Sequence, residues 1–477
     1  RLVYAALALA LEAALLCSLT RSSWAGATAA LAVLLLSREF RRSASEDPRP
    51  HGLLAATGAA MALLWPSSAI ISSYTPSVLG RLAEVVAAAH AYKTYSSFFQ
   101  RVLIWTCGWL MGAENPLTGK GYGLFELFYP FYQGHVISAF EAFQSMRTHA
   151  NNSHNEIGEV WAQTGLLGLG VFCWIWATFF AFARRWLGQA APHSTLLVAC
   201  AAGVAGMLVD NMLNVSLHFA VPAFLFWWVA GTCMGGSHPT SARQAERTAP
   251  ASASWRWGFR AAALLLAAVS WVWVCVWFRE AHYFAGFKLL RQQSYPSAVK
   301  ELERSLAWGP REVNAIYELG NAYAQSERYS DAERTYHVAL EANAGYDEIY
   351  YNIGALNASR LGQPERAIDY FRISQWINPL ARQVYTSLGN IYLASPLRFS
   401  EEGVALLQQA VQFFPDEANH WNNLGYLLAL KRLWPESESA YARALAINPG
   451  LTQAAFNLES VARQSGRPRA KILESLD

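Results

Sequence analysis

ANNSHNEIGEVWAQTGLLGLG, residues 150–170, joins a polar, histidine-bearing segment directly to the start of an apolar helix. His154 is flanked by Asn152, Ser153 and Asn155. From residue 160 to residue 183 there is then no charged side chain for 24 positions. At about 1.5 Å per residue, such a run crosses a hydrocarbon core of about 30 Å. The stretch reads as a membrane helix whose mouth holds an ionisable imidazole at the water–lipid boundary. A polar cluster placed there suits chemistry on a substrate that is itself half in the membrane.

Upstream, residues 101–132 read RVLIWTCGWLMGAENPLTGKGYGLFELFYPFY. The order is Arg101, an aromatic-apolar helix carrying Trp105 and Trp109, then Pro116-Leu117, then Gly119, Gly121 and Gly123. The glycine run around Lys120 is not a nucleotide loop: it lacks the G-x-x-x-x-G-K-[ST] spacing and no strand precedes it. It reads as a tight turn leaving the membrane surface.

Taken with SHNEIGEVWAQTGLLG, this order resembles the O-antigen ligase and polymerase family of bacterial membrane glycosyltransferases. The matching positions are Arg101, Trp105, Pro116, Leu117, Gly119, Gly121, His154, Asn155, Gly165, Leu166 and Gly168. Two positions depart from the family pattern. Asn152 stands at the first position of H-x-H-N, and Gln163 stands at the acidic position before Thr-Gly. The resemblance spans roughly residues 50 to 235. It implies metal-independent glycan transfer from a polyprenyl-diphosphate lipid, without a cofactor, to an acceptor hydroxyl that His154 deprotonates.

Each candidate also has a plainer reading. His154 has an ordinary pKa near neutrality and so can serve as a base; it can equally cap a helix or fill an interface. With His149 it lacks a carboxylate at ligand spacing, so a metal site is not expected. Arg101 either snorkels to the headgroups or clamps a diphosphate with its guanidinium fork. Trp105 and Trp109 share a face with it and fit an interfacial aromatic belt, or stacking on lipid or sugar. Lys120 and Arg147 are candidates for neutralising the diphosphate, or are solvated loop charges. Asn155 is expected to help bind substrate. Asp210 interrupts an apolar span close to its end.

The 477 residues exceed the usual length of one domain. Long uncharged runs dominate before residue 280, and mixed charges follow it. The net charge of +3 carries no basic patch interleaved with aromatics, so nucleic acid is not an expected partner. All six cysteines lie in or beside apolar runs without a C-x-x-C pair, which reads as buried thiols. Candidate membrane helices fall at about 2–19, 22–37, 52–72, 157–183, 194–214, 219–236 and 258–278. The chain opens on Arg1 and reads as lacking upstream helices. Arginines in the loop at 38–50, at Arg184-Arg185 and in the loop at 237–256 mark the cytoplasmic side. Segment 73–156 and everything after the last span then fall outside.

After residue 280, Gly320, Gly354, Gly389 and Gly425 recur, each following an aliphatic residue. Pro310, Pro379, Pro415 and Pro449 close the units. YELGNAYAQSERYSDAERTYHVALEANA and WNNLGYLLALKRLWPESESAYARALAINP match the tetratricopeptide repeat. Five repeats are expected from about 281 to 450, with a capping helix after them. Such units stack into a solenoid with a concave groove. With 19 Lys and Arg against 21 Asp and Glu over residues 281–477, no strong field selects a ligand.

The expected architecture is all-α. A polytopic membrane glycosyltransferase-like domain, N-terminally incomplete, covers 1–236 and includes the extracytoplasmic loop 73–156. A cytoplasmic linker covers 237–256 and a last transmembrane helix 257–279. A periplasmic tetratricopeptide-repeat domain covers 280–477. The whole sits in the bacterial inner membrane. The repeats, without clustered site residues, are expected to recruit a protein partner or acceptor rather than do chemistry. O-antigen ligation is the leading function. Polymerisation of the glycan or transfer to protein hydroxyls uses the same motifs, and a non-catalytic envelope scaffold leaves Arg101, Gly119-Gly121 and His154-Asn155 unexplained.

Overall fold

The computed structural model describes residues 20–46, 96–144, 146–187, 192–235 and 253–466, with scattered positions from 10 to 15 and from 52 to 59. The spans expected at 2–19 and 52–72 lie largely outside the described residues. So do residues 73–95, linker residues 237–252 and the final residues 467–477. Every regular element among the described residues is helical. The chain divides into two compact units, one formed by 1–129 with 148–256 and the other by 130–147 with 257–477.

The first unit holds α1 (Arg21–Leu36), α2 (Arg38–Glu46) and α3 (Ser96–Glu114). It then holds the start of α4 (Phe125–Ala139), and all of α5 (Glu156–Leu187), α6 (Pro192–Asp210) and α7 (Ala220–Gly235). Segment 73–156, read from sequence as an outer loop, thus contains α3 and α4. Residues 38–46, read as loop, form the short helix α2. α1 lies along α6 at a close crossing of Gly26 and Gly206. A Cβ on Gly206 would stand 2.7 Å from the Gly26 carbonyl oxygen, so only bare backbone fits. Trp176, Phe179, Val204, Phe226 and Cys233 bury one another where α5, α6 and α7 meet.

Two helical stretches among the described residues, Glu156–Arg185 and Arg260–Arg291, are long and apolar enough to cross a membrane. Ser22–Leu36, Leu196–Asp210 and Ala220–Gly235 are shorter apolar helices. Leu167, Trp174, Phe224 and Trp228 face outward, exposed. Contiguous apolar surface of this kind marks contact with lipid or protein rather than water.

α8 (Ala253–Arg291), which belongs to the second unit from Trp257 on, runs unbroken for 39 residues, about 58 Å at the α-helical rise. The span expected at 258–278 therefore does not end before the repeats. Nothing between Arg279 and Leu290 breaks a helix, and the same rod becomes the first helix of the solenoid. Tyr283, Leu289 and Leu290 pack on the repeat core, and a Cβ on Gly286 would stand 2.6 Å from Leu302.

The solenoid continues through α9 (Tyr295–Trp308), α10 (Val313–Gln325), α11 (Tyr329–Ala342), α12 (Asp347–Ser359) and α13 (Pro364–Ile377). α14 (Arg382–Ala394), α15 (Ser400–Phe413), α16 (Ala418–Leu430), α17 (Trp434–Ile447) and α18 (Thr452–Ser465) complete it. With α8 these make five hairpins and a capping helix. The repeat glycines work by proximity. A side chain at Gly354 would stand 2.7 Å from the Phe371 ring, and one at Gly425 2.9 Å from Tyr441. Gly389 has open space, so proximity does not explain it. Tyr385, Tyr392, Tyr441 and Phe371 are buried in the hairpin cores. Each such side chain contributes about 1.5–3 kcal/mol on burial.

Candidate functional site

The Pro116–Gly123 loop and the Gly165 segment of α5 are one interlocked structure. Gly165 has φ 61° and ψ −157°, which breaks α5 into two helices. The backbone amides this frees are recaptured by the loop. Leu166 N donates to Pro116 O at 2.8 Å and Leu167 N to Leu117 O at 3.2 Å. In return Lys120 N donates to Ala162 O at 3.0 Å and Gly121 N to Gln163 O at 2.9 Å. A Cβ on Gly119 would collide with the backbone of Gln163 and Thr164, and one on Gly165 with Leu117 and Pro116. Gly119, Gly121 and Gly123 all have positive φ, which glycine alone adopts freely.

One turn earlier, Glu159 is buried and collects the surrounding polar groups. Its Oε2 accepts from Ser153 N at 2.8 Å, and its Oε1 accepts from Gln163 Nε2 at 2.8 Å. Gln163 Oε1 accepts in turn from Gly123 N at 2.6 Å. The amide at the family's acidic position is thus explained, since only an amide both donates to Glu159 and accepts from Gly123. His218, in the short turn between α6 and α7, lies 3.4 Å from Glu156 Oε2 and 3.7 Å from Glu159 Oε2.

His154 stands at the corner this network holds. Its φ is 52°, a left-handed conformation that costs a non-glycine residue about 1–3 kcal/mol. Ser153 Oγ, donating to Asn155 O at 2.6 Å, and Trp105 Nε1, donating to Ser153 O at 3.0 Å, fix the turn. Asn155 caps α5, its Oδ1 accepting from Gly158 N at 2.9 Å. Burial lowers the His154 pKa first, and the positive charges of Arg101 and His218 lower it further. The His218 pKa is raised, chiefly by its contact with Glu156. Asn152 Oδ1 and His154 Nδ1 are buried and make no hydrogen bond. Unpaired buried polar atoms are rare, so two within three residues mark a place suited to receive polar groups.

Beside the turn is a cavity of about 690 Å³ between α3 and α5. Trp105, Trp109, Trp161 and Leu169 form its apolar wall, while Ser153 and Asn155 supply polar edges. Asn155 lines this cavity, and Arg101 lies close enough to the adjacent His154 for its charge to lower that pKa. Lys120 is tied elsewhere, 3.0 Å from Glu114 Oε2 and over the Phe128 ring. Arg147 belongs to the second unit and pairs with Asp347 and Glu348. Asp210 is buried, accepting from Ser23 Oγ at 3.0 Å and Ser216 Oγ at 2.6 Å. Sequence reasoning missed Glu159 and His218. The i, i+4 spacing of Glu159 and Gln163 was a signal; the contact across to His218 had none.

A family model described as O-Antigen ligase matches residues 5–173, and two tetratricopeptide-repeat models match 289–356 and 397–452. The chain carries an O-antigen ligase domain followed by tetratricopeptide repeats. The ligase match includes Arg101, the glycine loop and the His154 turn, and it stops inside α5. The human Protein O-mannosyl-transferase TMTC3 is 24% identical over 207 residues, 39% of this chain and 22% of that protein. The chain therefore spans about a fifth of that relative's length. Among solved structures, YrrB, a TPR protein with an unusual peptide-binding site, is 19% identical at a TM-score of 0.32, covering 37% of this chain and 89% of its own. Pseudomonas aeruginosa pilF is 14% identical at a TM-score of 0.32, covering 42% of this chain and 88% of its own.

Proposed function

We propose that this chain is a multi-pass glycosyltransferase of the bacterial inner membrane. It transfers a glycan from a polyprenyl-diphosphate lipid to an acceptor hydroxyl on the outer, periplasmic side, in the manner of an O-antigen ligase. The observation that carries the reading is His154: strained, half-buried, with Nδ1 unpartnered and the Arg101 charge close enough to depress its pKa. A depressed pKa keeps the imidazole neutral near pH 7, and a neutral imidazole accepts a proton.

In this scheme the acceptor oxygen attacks the anomeric carbon while its proton passes to His154. The bond from the anomeric carbon to the diphosphate oxygen breaks, and the electron pair leaves with the diphosphate. Arg101 meets that developing charge with a bidentate fork, and Lys120 adds a second cation by exchanging Glu114 for phosphate. Direct displacement inverts the anomeric centre. The scheme draws on no metal or nucleotide, because protein cations face the leaving group. Asn155 lies at the polar edge of the apolar cavity, which suits a sugar–lipid junction with the prenyl chain against Trp105 and Trp109.

The similarity to a protein O-mannosyl-transferase favours a second reading of the acceptor, a protein hydroxyl. The test is a deletion strain. Loss of one surface glycan with accumulation of its lipid-linked form supports the donor assignment, and the species left unmodified names the acceptor. Unchanged glycans and unchanged lipid-linked pools would contradict it.

A further inference from the structure

A second cavity, of about 560 Å³, lies where α1, α6 and α7 of the first unit meet. It shares no lining residue with the cavity beside the His154 turn. Val204, Met207, Phe226 and Val229 form its apolar wall. Val221 and Leu225 also line it and are exposed, so it opens on the apolar outer face of α7. Its polar end is Asp210, with Ser23 and Ser216 beside it. The transfer scheme makes no use of this carboxylate.

Asp210 closes the apolar helix α6 and is 5% exposed. Ionisable groups in such helices are expensive and usually functional. Ser216 Oγ donates to its Oδ2 at 2.6 Å and Ser23 Oγ to its Oδ1 at 3.0 Å. The contacts from Asn214 Nδ2, at 3.3 and 3.4 Å, are long. A carboxylate has about four acceptor positions, so the two short bonds leave about half of them open. Ser23, Ser216 and Asn214 are all neutral, and no cation among the described residues pairs with Asp210. Neutral donors orient a carboxylate, whereas a cation offsets its charge in an apolar setting.

Apolar walls take hydrocarbon, and an unneutralised carboxylate at the polar end takes a cation. One molecule carrying both is a lipid with a cationic headgroup. We propose that this cavity binds an aminophospholipid, its primary ammonium on Asp210 and its acyl chain along Val204 and Val229. A primary ammonium brings three N–H donors to the open acceptor positions, which a quaternary one cannot do. The next residue, Asn211, accepts from Glu156 N at 2.9 Å. The bound lipid therefore steadies the end of α6 against the start of α5.

The test uses the purified full chain, stripped of lipid in detergent. Phosphatidylethanolamine, phosphatidylcholine and phosphatidylglycerol with identical acyl chains are added in turn. Bound lipid is counted by native mass spectrometry, with thermal melts alongside. Phosphatidylethanolamine should bind about tenfold more tightly than the other two, the worth of one charge-assisted hydrogen bond, and should raise the melting temperature most. Asp210→Asn keeps the shape without the charge and should abolish that preference. Val221→Trp, at the exposed rim, should fold normally and weaken binding of all three. Equal affinity for the three lipids in the native chain would overturn the ammonium assignment, as would a preference that survives Asp210→Asn. A melting shift produced by free ethanolamine alone would replace the lipid with a small cation. Lipid binding and melting unchanged in Val221→Trp would show that the cavity is filled by the chain itself, and would equally overturn the proposal.

Discussion

Gln163 donates to Glu159 at 2.8 Å and through that bond joins the glycine loop to the His154 turn. The pair makes the departure from the family's acidic residue legible as an exchange of roles between neighbouring turns of one helix. Gln163→Glu should place two carboxylates in contact and lower stability by about 1–3 kcal/mol, the cost of a lost buried hydrogen bond. Adding Glu159→Gln should recover most of it, because the donor and the acceptors are then present again in exchanged order. Thermal melts of the two single variants and the double variant form the cycle. Additive losses would show that the two side chains do not act together.

The pH dependence follows from the His154 environment. In the proposed scheme transfer requires the neutral imidazole, and burial with Arg101 and His218 holds its pKa below the ordinary 6.5. kcat/KM should therefore be flat through neutrality and fall only below that value. His218→Gln removes one positive charge and should move the acid limb upward; Glu156, Glu159 and Arg101 remain as the other charges facing it. For stability the signs are opposite. The unfolded chain protonates His154 more readily than the folded one, so its contribution is lost as pH falls below 6.5. The His218 contribution is complete below 6.5 and is lost as pH rises through its raised folded value. A profile that does not respond to His218→Gln would contradict this electrostatic account.

The glycine interlock makes a structural prediction. Gly119→Ala and Gly165→Ala each put a Cβ against backbone at a positive φ. Each should cost about 2 kcal/mol or more, while Gly170→Ala, with open space around it, should cost little. Denaturation in detergent distinguishes them, and equal stability of all three would show that the loop and the kink are not locked.

Topology is tested by reporter fusions after position 145 and after residue 477. Both should report the periplasm. A cytoplasmic signal at either would reverse the orientation and remove the site from its proposed substrate.

The repeat fold was legible because each unit repeats the same contacts: Leu319-Gly320 and Leu424-Gly425 keep their spacing from the aromatics they meet. The two motif groups around His154 were legible as polar punctuation in apolar helices. Their mutual embrace was not, because Gly119 against Gln163 is a contact at long sequence separation, decided by the break at Gly165. The unbroken α8 was missed for a related reason. A hydropathy boundary near Phe278 marks where the surroundings change, and helical backbone continues across it. Arg147 read as a loop charge because nothing local signals Asp347, two hundred residues away.

The central claim is that His154 is the base for glycan transfer, and purified full-length protein with a polyprenyl-diphosphate-linked glycan and its acceptor tests it most directly. Initial rates of the native chain, His154→Ala and Arg101→Lys, at equal folded concentration, are the measurement. The account predicts a loss on the order of 100-fold or more for His154→Ala, with donor binding retained, and a smaller loss for Arg101→Lys, whose point charge lacks the fork. Native rates from a well-folded His154→Ala protein would contradict it.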